Sequence, residues 1–153
     1  MDRKIGVYIC HCGLNIASTV NVQKLTEFAQ GLEGVVIARD YPYMCSDPGQ
    51  ALIKKDVKEY GLTNVVVASC SPTMHGPTFQ KVCEEAGLNP YMFQMVNIRE
   101  HVSWVTDDVE KATEKAKLLI AAAVNRVKFH EPLEKIHVPL IQSVLIVGGG
   151  ITG

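Results

Sequence analysis

The 153-residue chain has no apolar run long enough to cross a bilayer, so no membrane-spanning helix is expected. It also has no excess of charge of either sign. Fifteen Lys and Arg against sixteen Asp and Glu leave a net charge of −1, too even for the broad electrostatic footprint of a nucleic-acid or anionic-membrane binder. Met1-Asp2-Arg3-Lys4 leads into only a few apolar residues before His11, so a signal peptide is not expected, and a reducing, cytoplasmic location is. Five cysteines are an odd number, and in such a compartment they argue against a disulfide framework. With 47% apolar and 20% charged residues the composition is that of an ordinary globule, long enough to bury a real core.

What is present is a short strand alternating with an amphipathic helix, four times over. Ile5 to Cys10 is a compact apolar run that ends at a Cys–Gly turn and reads as a buried first strand. Val22, Leu25, Phe28, Ala29 and Leu32 recur at helical spacing, with Gly34 as a stop before a second strand over Val35 to Arg39. Pro42 excludes a central strand across Tyr41 to Cys45. Ser46-Asp47-Pro48 opens a helix that runs to about Tyr60 and closes on Gly61. Val65 to Ala68 is apolar on both faces, as a central parallel strand must be. Phe79, Val82, Cys83 and Ala86 form a further helical stripe ending at Gly87, and Tyr91 to Val96 reads as a fourth strand. A long helix follows from Asp107 to about Lys128. These units imply an α/β fold: a small parallel sheet of about four strands, order 2-1-3-4, with helices on both faces and a long C-terminal helix.

In this order the loops after strands one and three flank the switch point, the crevice where ligands bind in such sheets. Cys10 and Cys12 follow the first strand, Cys45 the second and Cys70 the third, so four thiols distant in sequence are expected to face one small volume. Such a set suits a Cys₄ iron–sulfur cluster or a Cys₄ zinc site. C-x-C plus two isolated thiols lacks the short knuckles usual for zinc and does not match a ferredoxin run either. The plain alternative is that free cysteines are small buried hydrophobes. Location weakens that reading for Cys10, Cys12, Cys45 and Cys70, and favours it for Cys83 on a helix's apolar stripe. His11 points away from its neighbours in an extended segment, so its expected place is beside the site or in solvent. Three rivals remain open: a flavodoxin-like module that binds an anion or partner with inert thiols, a structural zinc domain, and a nucleophile built on Cys70 and His75.

Residues 1–130 read as one domain and 131–142, with Pro132 and Pro139, as a linker. In 143–153, Ser143 to Val147 reads as a strand, and Gly148, Gly150 and Gly153 fit G-x-G-x-x-G, the opening of a dinucleotide fold. The helix and downstream acidic residue that complete such a site are missing. This chain alone is therefore not expected to hold FAD or NAD.

The stretches I-C-H-C-G-L-N-I-A at 9–17, Y-M-C-S-D-P-G-Q at 43–50, V-V-V-A-S-C-S-P at 65–72, A-G-L-N-P-Y at 86–91 and N-I-R-E-H at 97–101 resemble the amino-terminal domain of the HdrA family, the flavin-containing iron–sulfur subunits of heterodisulfide reductase. The closing G-G-G-I-T-G resembles the start of that family's FAD-binding domain. Residue 73 is Thr where the family often has Arg. The resemblance implies an oxidoreductase component carrying FAD and several iron–sulfur clusters, engaged in methanogens in flavin-based electron bifurcation. There, electrons from hydrogen or formate pass to ferredoxin and to the heterodisulfide of coenzymes M and B. Implied partners are the other heterodisulfide reductase subunits, a hydrogenase or formate dehydrogenase electron-input subunit, and ferredoxin. Carried over by position, Cys10, Cys12, Cys45 and Cys70 become ligands of a [4Fe–4S] cluster, with [2Fe–2S] as the alternative, and Gly148, Gly150 and Gly153 contact FAD in a longer protein. Exposed apolar surface around such a site leads to the further expectation of a homodimer.

Overall fold

In the computed structural model, which describes residues 3–151, the two most apolar segments pair at the centre of the sheet. Strand β1 (Ile5–Cys10) and strand β3 (Asn64–Ser69) are buried at every position. Strand β2 (Val35–Tyr41) lies outside β1 and strand β4 (Phe93–Asn97) outside β3. All three pairings are parallel and the order is β2-β1-β3-β4, as the alternation of strands and helices requires.

Period-two burial splits the core into two layers. Ile5, Val7 and Ile9 of β1 pack with Val66 and Ala68 against helix α2 (Val22–Gln30) and the long helix α5 (Val109–Val127). Tyr8 and Cys10 face the other way and pack with Val65, Val67, Phe93 and Met95 against helices α3 (Asp47–Tyr60) and α4 (Pro72–Ala86). A one-turn helix α1 (Leu14–Ala17) follows β1, and a π-helical turn (Arg99–Ser103) follows β4.

The helix ends follow their capping residues. Asn21 accepts from the Lys24 amide to open α2, and Asp108 accepts from the Lys111 amide to open α5. Gly61 and Gly87 close α3 and α4 in the left-handed conformation. Boundaries differ from expectation where a local bond intervenes. Helix α2 stops at Gly31 rather than Gly34, because the Gly31 and Leu32 amides turn back to Phe28 and Ala29. Strand β2 continues to Tyr41, the pairing partner of Cys10, and Pro42 then ends it. Tyr91 and Met92 stay outside β4, since both their amides bond to Asn89.

Residues 131–149 carry no regular secondary structure. Asn89 reaches the Leu133 carbonyl and Lys135 pairs with Glu84, holding the start of this segment against α4. Over Ser143 to Val147 the expected strand does not form. Val144, Leu145 and Val147 stand exposed, with no neighbouring strand for a ladder.

Candidate metal centre

The carboxyl ends of all four strands deliver side chains to one edge of the sheet. Cys10 is the last residue of β1. Cys12 follows in a left-handed conformation, with φ of 50°, the only non-glycine residue with positive φ among those described. Such a conformation is uncommon outside Asn, Asp and Gly, and it gathers at functional sites. Gly13 continues the turn with φ of 60° and ψ of −116°, a combination glycine adopts without steric cost. The turn is fixed from β2: the His11 amide donates to the Tyr41 carbonyl and the Gly13 amide to that of Pro42.

Two backbone amides, of Cys12 at 3.3 Å and of Met44 at 3.4 Å, donate to Cys10 Sγ. Met44 is buried and immediately precedes Cys45, so the second bond ties the Cys45 loop to the first cysteine. Cys70 stands one residue beyond β3, also buried. Cys10, Cys70 and Cys45 all pack on the α3/α4 side of the sheet, and Cys12 touches both layers. Arg99, just past β4, donates from Nη1 to Cys12 Sγ at 3.3 Å.

All five cysteines are free thiols. Burial pushes Cys10 up to about 11 from an ordinary 9.0, against the pull of the Met44 and Cys12 amides. Burial also raises Cys70, against the charge of Arg99. A raised thiol is the opposite of an activated nucleophile, and His75 is not among the groups that act on Cys70. Cys83 lies in the core with no exposure and is pushed up to about 12 by burial alone. His11 is held by Asp40 at 2.7 Å, beside the thiols.

These raised thiols set a pH dependence. The unfolded chain ionises near 9.0, while Cys10 and Cys83 stay protonated in the fold to about 11 and 12. The stabilisation is complete below pH 9 and is lost as pH rises through the folded values. Urea melts of metal-free protein are therefore expected to show stability falling above pH 9, and less steeply in Cys83→Ala. Equal slopes in the two proteins would show that Cys83 does not contribute.

The donor set is chemically suited to an iron–sulfur group. Four soft thiols come from three strand ends, with amides already aimed at a sulfur. Ser69 Oγ, Arg99 Nε and Glu100 Oε2, at the ends of β3 and β4, are buried without hydrogen-bond partners. Of these, Ser69 Oγ and Arg99 Nε are donors that an anionic group could use, whereas Glu100 Oε2 only accepts. The thiols are neighbours but not yet a ligand cage: among the described residues, no three His, Cys, Asp or Glu side chains stand within common ligating reach. Gly148 and Gly150 are exposed with no strand before them, and Gly153 lies outside the described residues.

The Cys45 loop rests on Gly49, in the first turn of α3. A Cβ there would sit 2.5 Å from the Met44 carbonyl oxygen and 2.7 Å from both Met44 Cα and the Tyr43 carbonyl oxygen. Backbone cannot swing aside as a side-chain tip can. Gly49→Ala is expected to cost about 1–3 kcal/mol and to displace Cys45, so that metal-loaded protein is recovered in lower yield. Unchanged stability and metal content would show that the loop is free to shift.

Arg99, Glu100 and Ser69 were given no role by sequence reasoning. Their signal was position: each lies at the end of a strand, on the same edge as the thiols.

No family model matches the chain. Individual curated proteins do. The chain is 56% identical to the second HdrA-type iron–sulfur subunit of CoB–CoM heterodisulfide reductase from Methanopyrus kandleri, over 99% of this chain and 23% of the relative. It is 57% identical to an HdrA-like protein of Archaeoglobus profundus, over 99% of this chain and 22% of the relative. It is 54% identical to the HdrA component of the H2:CoB–CoM heterodisulfide,ferredoxin reductase of Methanothermobacter marburgensis, over 99% and 23%. The chain thus spans about a quarter of the length of these curated relatives. Along that span it is similar to the A subunit of heterodisulfide reductase.

Proposed function

We propose that this chain is an iron–sulfur electron-transfer domain of an HdrA protein of heterodisulfide reductase, with Cys10, Cys12, Cys45 and Cys70 as the ligands. The observation that carries the reading is the gathering of four free thiols at the carboxyl edge of a parallel sheet, with the Cys12 and Met44 amides on Cys10 Sγ. The word iron–sulfur in the name of the Methanopyrus relative supports it. A [4Fe–4S] cluster uses all four thiolates, and [2Fe–2S] is the alternative.

When bound, the cluster supplies a one-electron relay. The chain's own residues do the rest. Cys12 and Cys45 sit on loops that must close on Cys10 and Cys70 to complete the cage. The amides bonded to sulfur favour the thiolate over the thiol and stabilise added negative charge. Ser69 supplies a hydroxyl with free hydrogen-bonding capacity.

The names of relatives that include hydrogen or formate, ferredoxin and the CoB–CoM heterodisulfide support a place in an electron-bifurcating complex with those donors and acceptors. FAD belongs, in this reading, to a longer protein through Gly148, Gly150 and Gly153. A cytoplasmic location and a homodimer complete the proposal. Among the described residues no helix is long and apolar enough to cross a membrane.

Iron and acid-labile sulfide per chain, measured on anaerobically purified protein with visible and EPR spectra, test the reading. Near four of each, with an EPR signal on reduction, supports a cubane. Near two supports [2Fe–2S] or a cubane shared by two chains. Zinc without sulfide overturns the redox reading in favour of a structural site. No metal at all overturns it in favour of a binding module with inert thiols.

A further inference from the structure

Arg99, within the N-I-R-E-H stretch, makes an unusual set of contacts. Its Nη1 donates to Cys12 Sγ at 3.3 Å. Its Nη2 donates to Met74 Sδ at 3.4 Å and to Glu100 Oε1 at 2.8 Å. The guanidinium carbon lies 4.8 Å from the centre of the Trp104 ring, and Nε is buried with no acceptor. The side chain is only 13% exposed.

Each contact limits where the cation can go. The Arg99 and Glu100 amides are both held by Asn97 Oδ1 at the end of β4, which fixes the start of the π-helical turn. Trp104 covers one face of the guanidinium, a geometry that favours arginine over lysine. Among the described residues only one carboxylate, that of Glu100, accepts from it, and the second oxygen of that group is buried without a donor. The positive charge, partly offset by the Glu100 carboxylate, is therefore held against a sulfur in a poorly hydrated place, where a charge acts more strongly than in water.

We infer that Arg99 is a positioning residue that raises the reduction potential of the iron–sulfur group proposed above, through its guanidinium at Cys12 Sγ. This rests on that proposal. One electron from a reduced flavin or ferredoxin adds one negative charge to a thiolate-held group that is already anionic. Arg99 favours the reduced state because its fixed positive charge attracts that added charge, and no proton has to move. Met74 and Trp104 keep water from replacing the guanidinium. Both are exposed on their outer surfaces, so a docked partner would strengthen the effect by removing the remaining water.

The test is an anaerobic redox titration followed by EPR on the wild-type protein and on Arg99→Gln and Arg99→Lys, with iron, sulfide and circular dichroism on each. At the wild-type midpoint, Arg99→Gln is expected to show a ratio of reduced to oxidised centres about tenfold lower, equivalent to about 59 mV for one electron. Arg99→Lys, which keeps the charge but not the planar fork, is expected to fall between the two. Equal midpoints in all three proteins, with iron retained, overturn the inference. Loss of iron from both folded variants also overturns it, because the guanidinium is then needed to assemble the site rather than to set its potential. A wild-type protein without iron or sulfide shows instead that the proposed function itself has failed.

Discussion

Cys70→Ala is expected to reduce iron and sulfide per chain to background and to abolish the EPR signal, while Cys83→Ala keeps both. The two thiols sit at opposite ends of the same layer of the core. Cys70 follows β3 at the sheet's carboxyl edge, where Arg99 and the Cys12 thiol act on it electrostatically. Cys83 packs from inside α4 into the buried cluster, and its thiol is raised by burial alone. In the proposed four-thiolate site, loss of Cys70 would remove one of the residues that hold the cluster. Loss of Cys83 removes a small apolar group and costs about 1 kcal/mol. The measurement is metal and sulfide analysis beside a urea melt for each variant. Colour lost in Cys83→Ala and kept in Cys70→Ala would reverse the ligand assignment.

The different placement of these two cysteines was legible in the sequence because it depends on period and position. Cys83 falls on an i, i+3, i+4, i+7 stripe with Phe79, Val82 and Ala86, and all four are buried. Cys10, Cys12, Cys45 and Cys70 follow strand patterns, and parallel α/β topology leaves one edge for them to reach. The strand order was readable for the same reason, since successive right-handed crossovers leave few arrangements. The left-handed Cys12 was not readable. Its conformation is imposed by bonds from the next strand, the His11 and Gly13 amides on Tyr41 and Pro42. Nor was Arg99, whose contacts join residues 12, 74 and 104 and exist only once the sheet has formed. Helix α1 is a single turn, too short for any periodicity to announce it. Ser143 to Val147 has the composition of a strand, but composition cannot supply the partner that a ladder needs.

The largest effect on stability is expected from Arg39→Ala. Asp56 of α3 has no solvent exposure, yet it carries a carboxylate. Arg39 of β2 grips both of its oxygens, Nε at 2.7 Å and Nη2 at 3.2 Å, and the Tyr8 hydroxyl of β1 donates to it at 3.3 Å. The hydroxyl of Tyr8 is held far above its ordinary range, first by burial and then by the adjacent carboxylate. Removing the arginine leaves a buried charge with one neutral donor, which costs about 3–5 kcal/mol. Removing the acid instead is milder. Arg39 is 35% exposed and can turn to water, so Asp56→Ala loses the bond without stranding the cation. Arg39→Met with Asp56→Leu should recover part of the loss, because an apolar pair of similar volume strands no charge, although the buried Tyr8 hydroxyl then loses its acceptor. Because this triad joins α3 to β1 and β2, it also holds the helix whose first turn supports the Cys45 loop. Urea melts of the three variants check the order: Arg39→Ala lowest, Asp56→Ala next, the double variant nearest to wild type. Equal stability in Arg39→Ala and wild type would mean that Asp56 escapes to solvent or is neutral in the fold, and that α3 is held by its apolar face alone.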